Sequence, residues 1–287
     1  MNDAFELCRL KDGRYLAYNE YGDLKGKPVF FFHGWPSSRL FAAKNDALAK
    51  KLHIRIISPD RPGFGYSDYQ KDRTLLDWPG DVTALTDHLK IKTFAVMGQS
   101  GGGPYAAVCA YKIPERITKA GIVVGLAPII GPESLDGMMW MSKIGWANYR
   151  KYPVVRRIST LIQYINAYYG IHLGLHKYFF GAKEDRKLYR NPKLSESVLA
   201  NYREAFRQGI RGPELDLKLY CTDWGFDVGA IHAKAFLFYG EDDRNVSLNM
   251  GKYYHSHIAG SVLTVYPGEG HFISVSHAEE ILTTLTS

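Results

Sequence analysis

The sequence predicts an α/β protein: a mostly parallel, twisted sheet flanked by helices and interrupted by one long helical insertion. In the first two-fifths of the chain, and again near its end, short apolar runs alternate with helical patterns. Between these two blocks, from 128 to 232, the alternation stops and Tyr, Trp, Met and basic residues become frequent. A chain of 287 residues can form one large domain with a sizeable insertion.

The first block reads as five strands and three helices. Residues 14–21 form a predicted edge strand, and the continuous apolar run at 28–32 is typical of a strand buried on both faces. Ser37 or Ser38 is the predicted N-cap of the first helix. The remaining predicted strands are 53–58, 94–97 and 117–126, and the predicted helices are 40–52, 77–89 and 101–112.

The second block resumes the pattern with a strand at 235–239, a helix at 246–257, a strand at 262–266 and a helix at 273–285. Plain crossover connections are far shorter than the roughly 100 residues that separate the two blocks. We therefore expect a core formed by 1–127 and 233–287 and a helical lid at 128–232. The lid's aromatic residues, with Trp140, Trp146 and Trp224 among them, are expected mainly in the core, and the others in an apolar pocket.

Net charge and cysteine content argue against several classes of protein. The net charge is +7, and the stretch 128–232 holds 15 Lys or Arg against 10 Asp or Glu. Their signs alternate at 183–187, so we expect a solvated helix face and no nucleic-acid partner. Cys8, Cys109 and Cys221 are too few and too far apart for a disulfide framework, which favours a reduced, cytoplasmic compartment.

Membrane, metal and cofactor signals are also missing from the sequence. The strongest apolar run, 120–131, is about half of the roughly 20 residues that a spanning helix needs, so no membrane span is expected. The sequence contains neither a metal-spaced cluster of histidines and carboxylates nor a dinucleotide glycine fingerprint. We expect no metal and no cofactor, and a small-molecule substrate.

A G-x-S-x-G motif stands at 98–102, with Ser100 at its centre. Chance alone would place roughly 0.15 such matches in this chain, so the elements that flank the motif must show whether it is meaningful. The motif follows the predicted strand 94–97 and precedes the predicted helix 101–112. A serine on so sharp a turn needs small neighbours, and its hydroxyl lies at a helix N-terminus that favours negative charge. Ser100 is the candidate nucleophile.

A serine nucleophile needs a base, and the base needs an orienting acid. Three carboxylates at 241–243 follow the strand 235–239, and His271 lies on a glycine-flanked loop after the strand 262–266. Loops at the carboxyl ends of neighbouring parallel strands converge. His271 is the candidate base, and one of the three carboxylates is the candidate acid.

These motifs together resemble the α/β-hydrolase superfamily over the whole predicted core. The resemblance includes HGWP at 33–36, DRPGFGYSD at 60–68, the Ser100 turn, the G-x-x-D-x-x-V spacing at 240–246 and GHF at 270–272. Its spacing makes Asp243 the candidate acid, with Asp242 as the alternative, and the resemblance implies that the insertion is the lid found in many members. Segment 60–68 is expected to be structural.

The resemblance also implies an oxyanion hole formed by the backbone N–H groups of Trp35 and Gly101. Pro36 has no N–H group, so Trp35 offers the first donor after the turn. Such fixed donors stabilise the transition state of acyl transfer by roughly 3–4 kcal/mol each. Similarity to hydrolases with His-Gly-x-Pro predicts a cis Trp35–Pro36 peptide bond. The HGWP string looks most like those of epoxide hydrolases and some dehalogenases, but these enzymes use an aspartate nucleophile, so Ser100 argues against both.

The predicted function is that of a serine hydrolase of the carboxylesterase type, acting on a small or medium ester through an acyl-enzyme on Ser100. The same residues could hydrolyse an amide, lactone, thioester or C–C bond, or support a cofactor-free peroxidase-like activity. A ligand-binding receptor on the same fold is the alternative from another class. The sequence leaves the substrate and the oligomeric state open.

Overall fold

The structure is a computed structural model and describes residues 5–129, 131–170 and 182–287. Its centre is an eight-stranded sheet in the order β1-β2-β4-β3-β5-β6-β7-β8. The strand β2 is antiparallel to both of its neighbours, and all pairs from β4 to β8 are parallel, which confirms the predicted fold class. The strands are β1 Glu6–Arg9, β2 Tyr15–Gly22, β3 Lys27–Phe32, β4 Ile54–Pro59, β5 Phe94–Gln99, β6 Ile117–Val123, β7 Ala235–Gly240 and β8 Val262–Tyr266.

The described residues form eleven α-helices. Six belong to the two predicted core blocks: α1 Asp46–Lys51, α2 Trp78–His88, α3 Gly103–Lys112, α9 Leu248–His257, α10 Ile273–Ser276 and α11 Ala278–Thr286. Five lie between β6 and β7: α4 Trp140–Tyr149, α5 Pro153–Tyr169, α6 Lys183–Arg190, α7 Pro192–Ala205 and α8 Arg211–Tyr220.

The hydrophobic core has two layers because β3, β5 and β7 are buried on both faces. Helices α2, α3 and α9 cover one face, where Trp78, Tyr105 and Tyr254 belong to one apolar cluster. Helices α1 and α11 cover the other face through Ala49 and Leu285. Burying both faces of parallel strands explains why they read as continuous apolar runs. The parallel strands end at one edge of the sheet, where the candidate site residues follow them.

Several predicted boundaries are wrong. The strand predicted at 14–21 is β2, which pairs on both sides; β1 is the edge strand, and only one of its four residues, Cys8, is buried. The helix predicted at 40–52 is a 3₁₀ turn, Arg39–Asn45, followed by α1. The Ser38 hydroxyl caps that turn by accepting a hydrogen bond from the Leu40 N–H, so Ser38 is the predicted N-cap that the structure supports.

Between β6 and β7, the described residues of 131–170 and 182–232 contribute helices and 3₁₀ turns but no strand to the sheet. Residues 130 and 171–181 of the predicted lid lie outside the described residues. Trp224 is buried in the core as expected, whereas Trp140 is 67 % exposed, contrary to expectation.

The three cysteines are buried and free. Across the described ranges, no helix is both long and apolar enough to cross a membrane.

Candidate active site

Ser100 stands on a strained turn between β5 and α3. Its φ angle is +54°, a region that residues other than glycine seldom adopt. The turn has no room for side chains on either side of the serine. A Cβ atom at Gly98 would lie 2.2 Å from the Gly102 carbonyl oxygen, and one at Gly102 would lie 2.0 Å from the Phe32 carbonyl oxygen. The motif glycines are therefore required by close backbone approach, as the sequence predicts.

His271 and Asp243 are in direct contact. The Asp243 Oδ2 atom lies 2.7 Å from His271 Nδ1. The other oxygen of this carboxylate accepts hydrogen bonds from the N–H groups of Asn245, at 2.8 Å, and Val246, at 3.1 Å, which fixes its orientation. Asp243 is buried, whereas Glu241 and Asp242 are exposed. Of the three adjacent carboxylates, Asp243 is the one that contacts the imidazole.

The pKa of His271 is raised above its ordinary value of 6.5. Burial alone would lower this pKa, because it disfavours the charged imidazolium. The charge of Asp243 and its hydrogen bond outweigh burial, and the carboxylate of Asp185 adds to them. The ammonium group of Lys44 acts in the opposite direction. The site thus stabilises a proton on His271.

Arg61 fixes the loop after β3. Its guanidinium donates a 2.8 Å hydrogen bond to the Gly34 carbonyl oxygen and another to the His33 carbonyl oxygen. The Gly34 C=O and the Trp35 N–H belong to the same peptide bond, and in a trans peptide these two groups point in opposite directions. Because the Gly34 C=O faces Arg61, the Trp35 N–H points away from Arg61. The Trp35–Pro36 bond is cis, which confirms the prediction.

The peptide bond between Ser100 and Gly101 is oriented in the same way, by a hydrogen bond to its carbonyl oxygen. The Ser100 carbonyl oxygen accepts a 3.1 Å hydrogen bond from the Leu126 N–H. By the same peptide geometry, the Gly101 N–H points away from Leu126. The structure places Trp35 and Gly101 side by side, because a Cβ on Gly101 would lie 3.1 Å from the Trp35 Cβ.

A cavity of about 220 Å³ brings these residues together. Ser100, His271, Trp35 and Gly101 all line it. The segment between β6 and β7 contributes much of the remaining wall: Ser142, Trp146, Tyr149, Gln163, Asn166, Tyr189, Leu199, Tyr202 and Leu217. The described residues contain no cluster of three or more His, Cys, Asp or Glu side chains that could hold a metal ion.

Asp185, on α6, is a site residue that the sequence analysis missed. It belongs to the mixed-charge run 183–187, which was expected to be a solvated face, but its side chain is buried. Its carboxylate accepts hydrogen bonds from the backbone N–H groups of His271, at 2.8 Å, and Phe272, at 3.1 Å. The insertion therefore contacts the loop that carries His271. The alternating signs gave no signal for this contact, because the neighbours Lys183 and Lys187 are indeed exposed.

Asp216, on α8, is a second buried carboxylate that the sequence analysis did not single out. It accepts a 2.8 Å hydrogen bond from Arg61 Nε, and others from Arg73, from the Tyr105 hydroxyl at 2.7 Å and from the Tyr220 hydroxyl at 3.0 Å. Burial would raise the pKa of Asp216, but Arg61 and Arg73 lower it to about 2. Arg61 thus connects the insertion to the loop at 33–36. This agrees with the structural role expected for segment 60–68.

A comparison with protein families identifies this architecture. The family model described as the alpha/beta hydrolase fold matches residues 27–278. The chain belongs to the α/β-hydrolase family. The match runs from the start of β3 to the start of α11 and includes the insertion. Together with the relatives described next, it supports an enzyme of this superfamily with hydrolase activity.

Two curated relatives align with this α/β-hydrolase over nearly its whole length. A non-heme haloperoxidase from Rhodococcus erythropolis is 24% identical over 284 residues, which cover 96% of each chain. A bifunctional esterase/perhydrolase from Acinetobacter calcoaceticus is 24% identical over 278 residues, or 94% of each chain.

Solved structures share the fold. A thermophilic esterase from Thermogutta terrifontis superposes with a TM-score of 0.71 at 20% identity, covering 99% of this α/β-hydrolase and 100% of the esterase. The enol-lactonase from Burkholderia xenovorans gives a TM-score of 0.71 at 18% identity, covering 98% of each chain. At such identities the likeness establishes the architecture.

Proposed function

We propose that this chain is a serine hydrolase of the carboxylesterase type, with Ser100 as nucleophile, His271 as general base and Asp243 as orienting acid. The observation that carries the proposal is the 2.7 Å contact between Asp243 and His271 Nδ1, made beside a cavity that Ser100 also lines. A carboxylate on Nδ1 leaves Nε2 free to accept a proton, as a serine nucleophile requires.

In this mechanism the Ser100 Oγ atom attacks the ester carbonyl carbon and gives its proton to His271 Nε2. Negative charge then develops on the carbonyl oxygen, where the N–H groups of Trp35 and Gly101 would donate hydrogen bonds. The C–O bond breaks, and the alcohol leaves with the proton from His271. Water attacks the acyl-enzyme in the same way, and its proton passes through His271 to Ser100.

The segment 128–232 is proposed to act as the lid of this site. Residues from α4, α5 and α8, including Trp146, Gln163 and Leu217, line the cavity together with Ser100. A wall of aromatic and aliphatic side chains favours a substrate with an apolar part, and the modest cavity volume favours a small or medium acyl group.

The test is labelling by a fluorophosphonate probe, which reacts with activated serines. Wild type should be labelled once, and Ser100→Ala not at all. Ser142→Ala is the matched control, since Ser142 lines the same cavity and should leave labelling unchanged. Labelling that persists in Ser100→Ala would remove Ser100 from the proposed role.

Turnover of simple aryl esters separates an enzyme from a ligand-binding receptor on the same fold. Many cycles per second support the esterase, and a single slow acylation supports the receptor. A graded series of acyl lengths, together with an amide, a lactone and a ketone cleaved at a C–C bond, then defines the bond type.

The relatives suggest a second activity of the same site. Two are named as a non-heme haloperoxidase and an esterase/perhydrolase. If hydrogen peroxide replaces water at the acyl-enzyme, the product is a peracid rather than an acid, with no cofactor. Peracid formation from an ester and hydrogen peroxide, lost in Ser100→Ala, would support this activity.

A further inference from the structure

Helices α4 and α5 present a large apolar face to solvent. Trp140 on α4 is 67 % exposed, and Val154 and Ile158 on α5 are 68 % and 53 % exposed. We call this surface the outer face; its other members are Met141, Ile144, Val155, Leu161, Ile162, Ile165, Tyr168 and Tyr169, each at least 37 % exposed. Spacings of three and four residues place those of α5 along one side of the helix. Apolar surfaces of this extent usually mark an interaction site.

The polarity of α5 is inverted relative to an ordinary surface helix. Its inner side holds the buried residues Arg156 and Thr160, and Gln163 and Asn166 line the cavity. An ordinary helix turns its apolar stripe towards the core and its polar side towards water. Ala167 on the inner side is buried in a small apolar cluster, but the apolar residues of the outer face do not serve as core for the part of the chain that the structure describes.

The charged residues of α4, α5 and the turn between them are all basic. The stretch 137–182 contains six Lys or Arg residues and no Asp or Glu. Arg150, Lys151 and Arg157 are exposed beside the apolar residues. Aromatic and aliphatic side chains flanked by basic residues are the features of a helix that lies in the surface of an anionic bilayer.

We infer that the outer face docks on an anionic lipid bilayer, with α4 and α5 lying in the plane of the surface. A nucleic acid would use the basic residues but would leave Val154, Ile158 and Ile162 exposed to water. A second copy of the chain would place Arg150, Lys151 and Arg157 of both copies in one interface, because a two-fold interface pairs a patch with itself, and neither α4 nor α5 supplies a carboxylate to pair with them. A bilayer accommodates both the apolar and the basic residues.

This docking would hold the cavity close to lipid. Trp146 and Tyr149 on α4, and Gln163 and Asn166 on α5, line the cavity from the inner side of the helices whose other side forms the outer face. A helix is about 10 Å in diameter, so the cavity would lie about that far from the bilayer. Esters that partition into membranes are then the favoured substrates, an extension that rests on the proposed function.

Vesicle sedimentation tests the docking without any turnover. The full chain is mixed with phosphatidylcholine vesicles containing 30 mol% phosphatidylglycerol, and separately with phosphatidylcholine alone. We expect wild type to bind the anionic vesicles. The double variant Ile158→Glu/Ile162→Glu should bind at least about tenfold more weakly, because it places two carboxylates on the outer face. The matched control Leu24→Glu changes an equally apolar side chain, 61 % exposed in the turn after β2, and should bind like wild type.

Two further measurements separate the apolar and basic contributions. The double variant Arg150→Gln/Lys151→Gln should bind anionic vesicles about fivefold more weakly for each positive charge that it removes. Its affinity for phosphatidylcholine alone should not change. Tryptophan fluorescence should be quenched by brominated lipids in wild type and much less in Trp140→Phe, while that variant still sediments with vesicles.

Each other outcome overturns the inference. It fails if wild type does not bind anionic vesicles, or if Ile158→Glu/Ile162→Glu binds like wild type. A dimer that this variant dissociates would make the outer face an interface between copies. Binding to DNA or heparin that is unaffected by this variant, with no vesicle binding, would indicate a polyanion site. A large loss of thermal stability in the variant would mean that the chain itself covers the face. Because binding is measured without substrate, the inference and the proposed function can fail separately.

Discussion

Asp185 holds the backbone on which His271 stands. One of its carboxylate oxygens accepts a 2.8 Å hydrogen bond from the His271 N–H, and the other accepts a 3.1 Å bond from the Phe272 N–H. Asp185 lies on α6 in the insertion, whereas His271 follows β8 in the core. A change in the position of the insertion would therefore act directly on the imidazole, both through the backbone and through the charge of Asp185.

The acidic limb of the pH–rate profile should lie above pH 6.5. His271 must be neutral to accept the Ser100 proton, and its pKa is raised from 6.5 because Asp243 and Asp185 outweigh the effect of burial. Activity should therefore fall as the pH drops through a midpoint above 6.5. The measurement is kcat/KM for a soluble aryl ester from pH 5 to 9. A midpoint at or below 6.5 would contradict the charge balance described for the imidazole.

Replacing Asp185 by Asn should move that midpoint to lower pH. The substitution removes a negative charge that favours the imidazolium, while the amide oxygen can still accept a backbone hydrogen bond. Asp185→Ala removes the acceptor as well, so the loop loses both bonds. We expect that variant also to lose roughly tenfold to a hundredfold in kcat through misplacement of the imidazole.

Glu184→Gln is the control for both variants, because Glu184 is the adjacent carboxylate and pairs with Lys187 instead. Its profile should match that of wild type. If Asp185→Asn lowers stability but leaves the midpoint unchanged, then Asp185 has a structural role only.

The core of the site could be predicted because its signals are local. The turn at Ser100 needs small residues within two positions, and Gly98 and Gly102 stand there in the sequence. Asp243 and His271 each follow a short run of apolar and β-branched residues that predicts a strand. The order of strands and loops then indicated that these side chains meet, and the 2.7 Å contact between Asp243 and His271 agrees.

Asp185 and Asp216 could not be predicted because their partners are distant in the sequence. Asp216 bonds Arg61 across 155 positions, and Asp185 bonds the His271 N–H across 86. Each lies on a helix whose other charged residues are partly or fully exposed, so local composition does not indicate that this carboxylate is buried. Only the packing of the insertion against the core buries these two carboxylates. The edge strand β1 was missed for a related reason, since its four residues bury too little apolar surface to form a pattern.

Asp216→Asn should be strongly destabilising. The side chain is fully buried between Arg61 and Arg73, and its loss as an anion leaves two buried guanidinium groups without their common partner. Breaking a buried pair in this way costs about 3–5 kcal/mol of unfolding free energy. Urea unfolding at pH 7 measures it. Asp87→Asn is the control, because its carboxylate is 63% exposed beside Arg116 and should change stability by less than about 1 kcal/mol.

The same carboxylate predicts how wild-type stability responds to acid. The pKa of Asp216 is lowered from 3.8 to about 2 in the folded protein. A carboxyl group whose pKa is lowered by folding stabilises the folded protein at pH values above its pKa in the unfolded chain. This stabilisation is lost as the pH falls towards the pKa of the group in the folded protein. The expected loss between pH 4 and pH 2 is about 2 kcal/mol from this group. Asp216→Asn lacks the group, so its stability should fall less steeply over that range; parallel curves for the two proteins would contradict the assignment.

Asp243→Asn should abolish most ester turnover, and Asp242→Asn should not. The Asp243 carboxylate accepts the Nδ1–H of His271, whereas an amide could present an NH₂ group there and favour the wrong tautomer of the imidazole. A loss of about 10⁴ in kcat is expected for such an exchange, with the fold intact. Asp242 is exposed, and its amide should stay within about tenfold of wild type. The measurement is kcat for an aryl ester, with circular dichroism of each variant to show that it is folded. A larger loss in Asp242→Asn would transfer the role to that residue, and small equal losses would mean that another group orients His271.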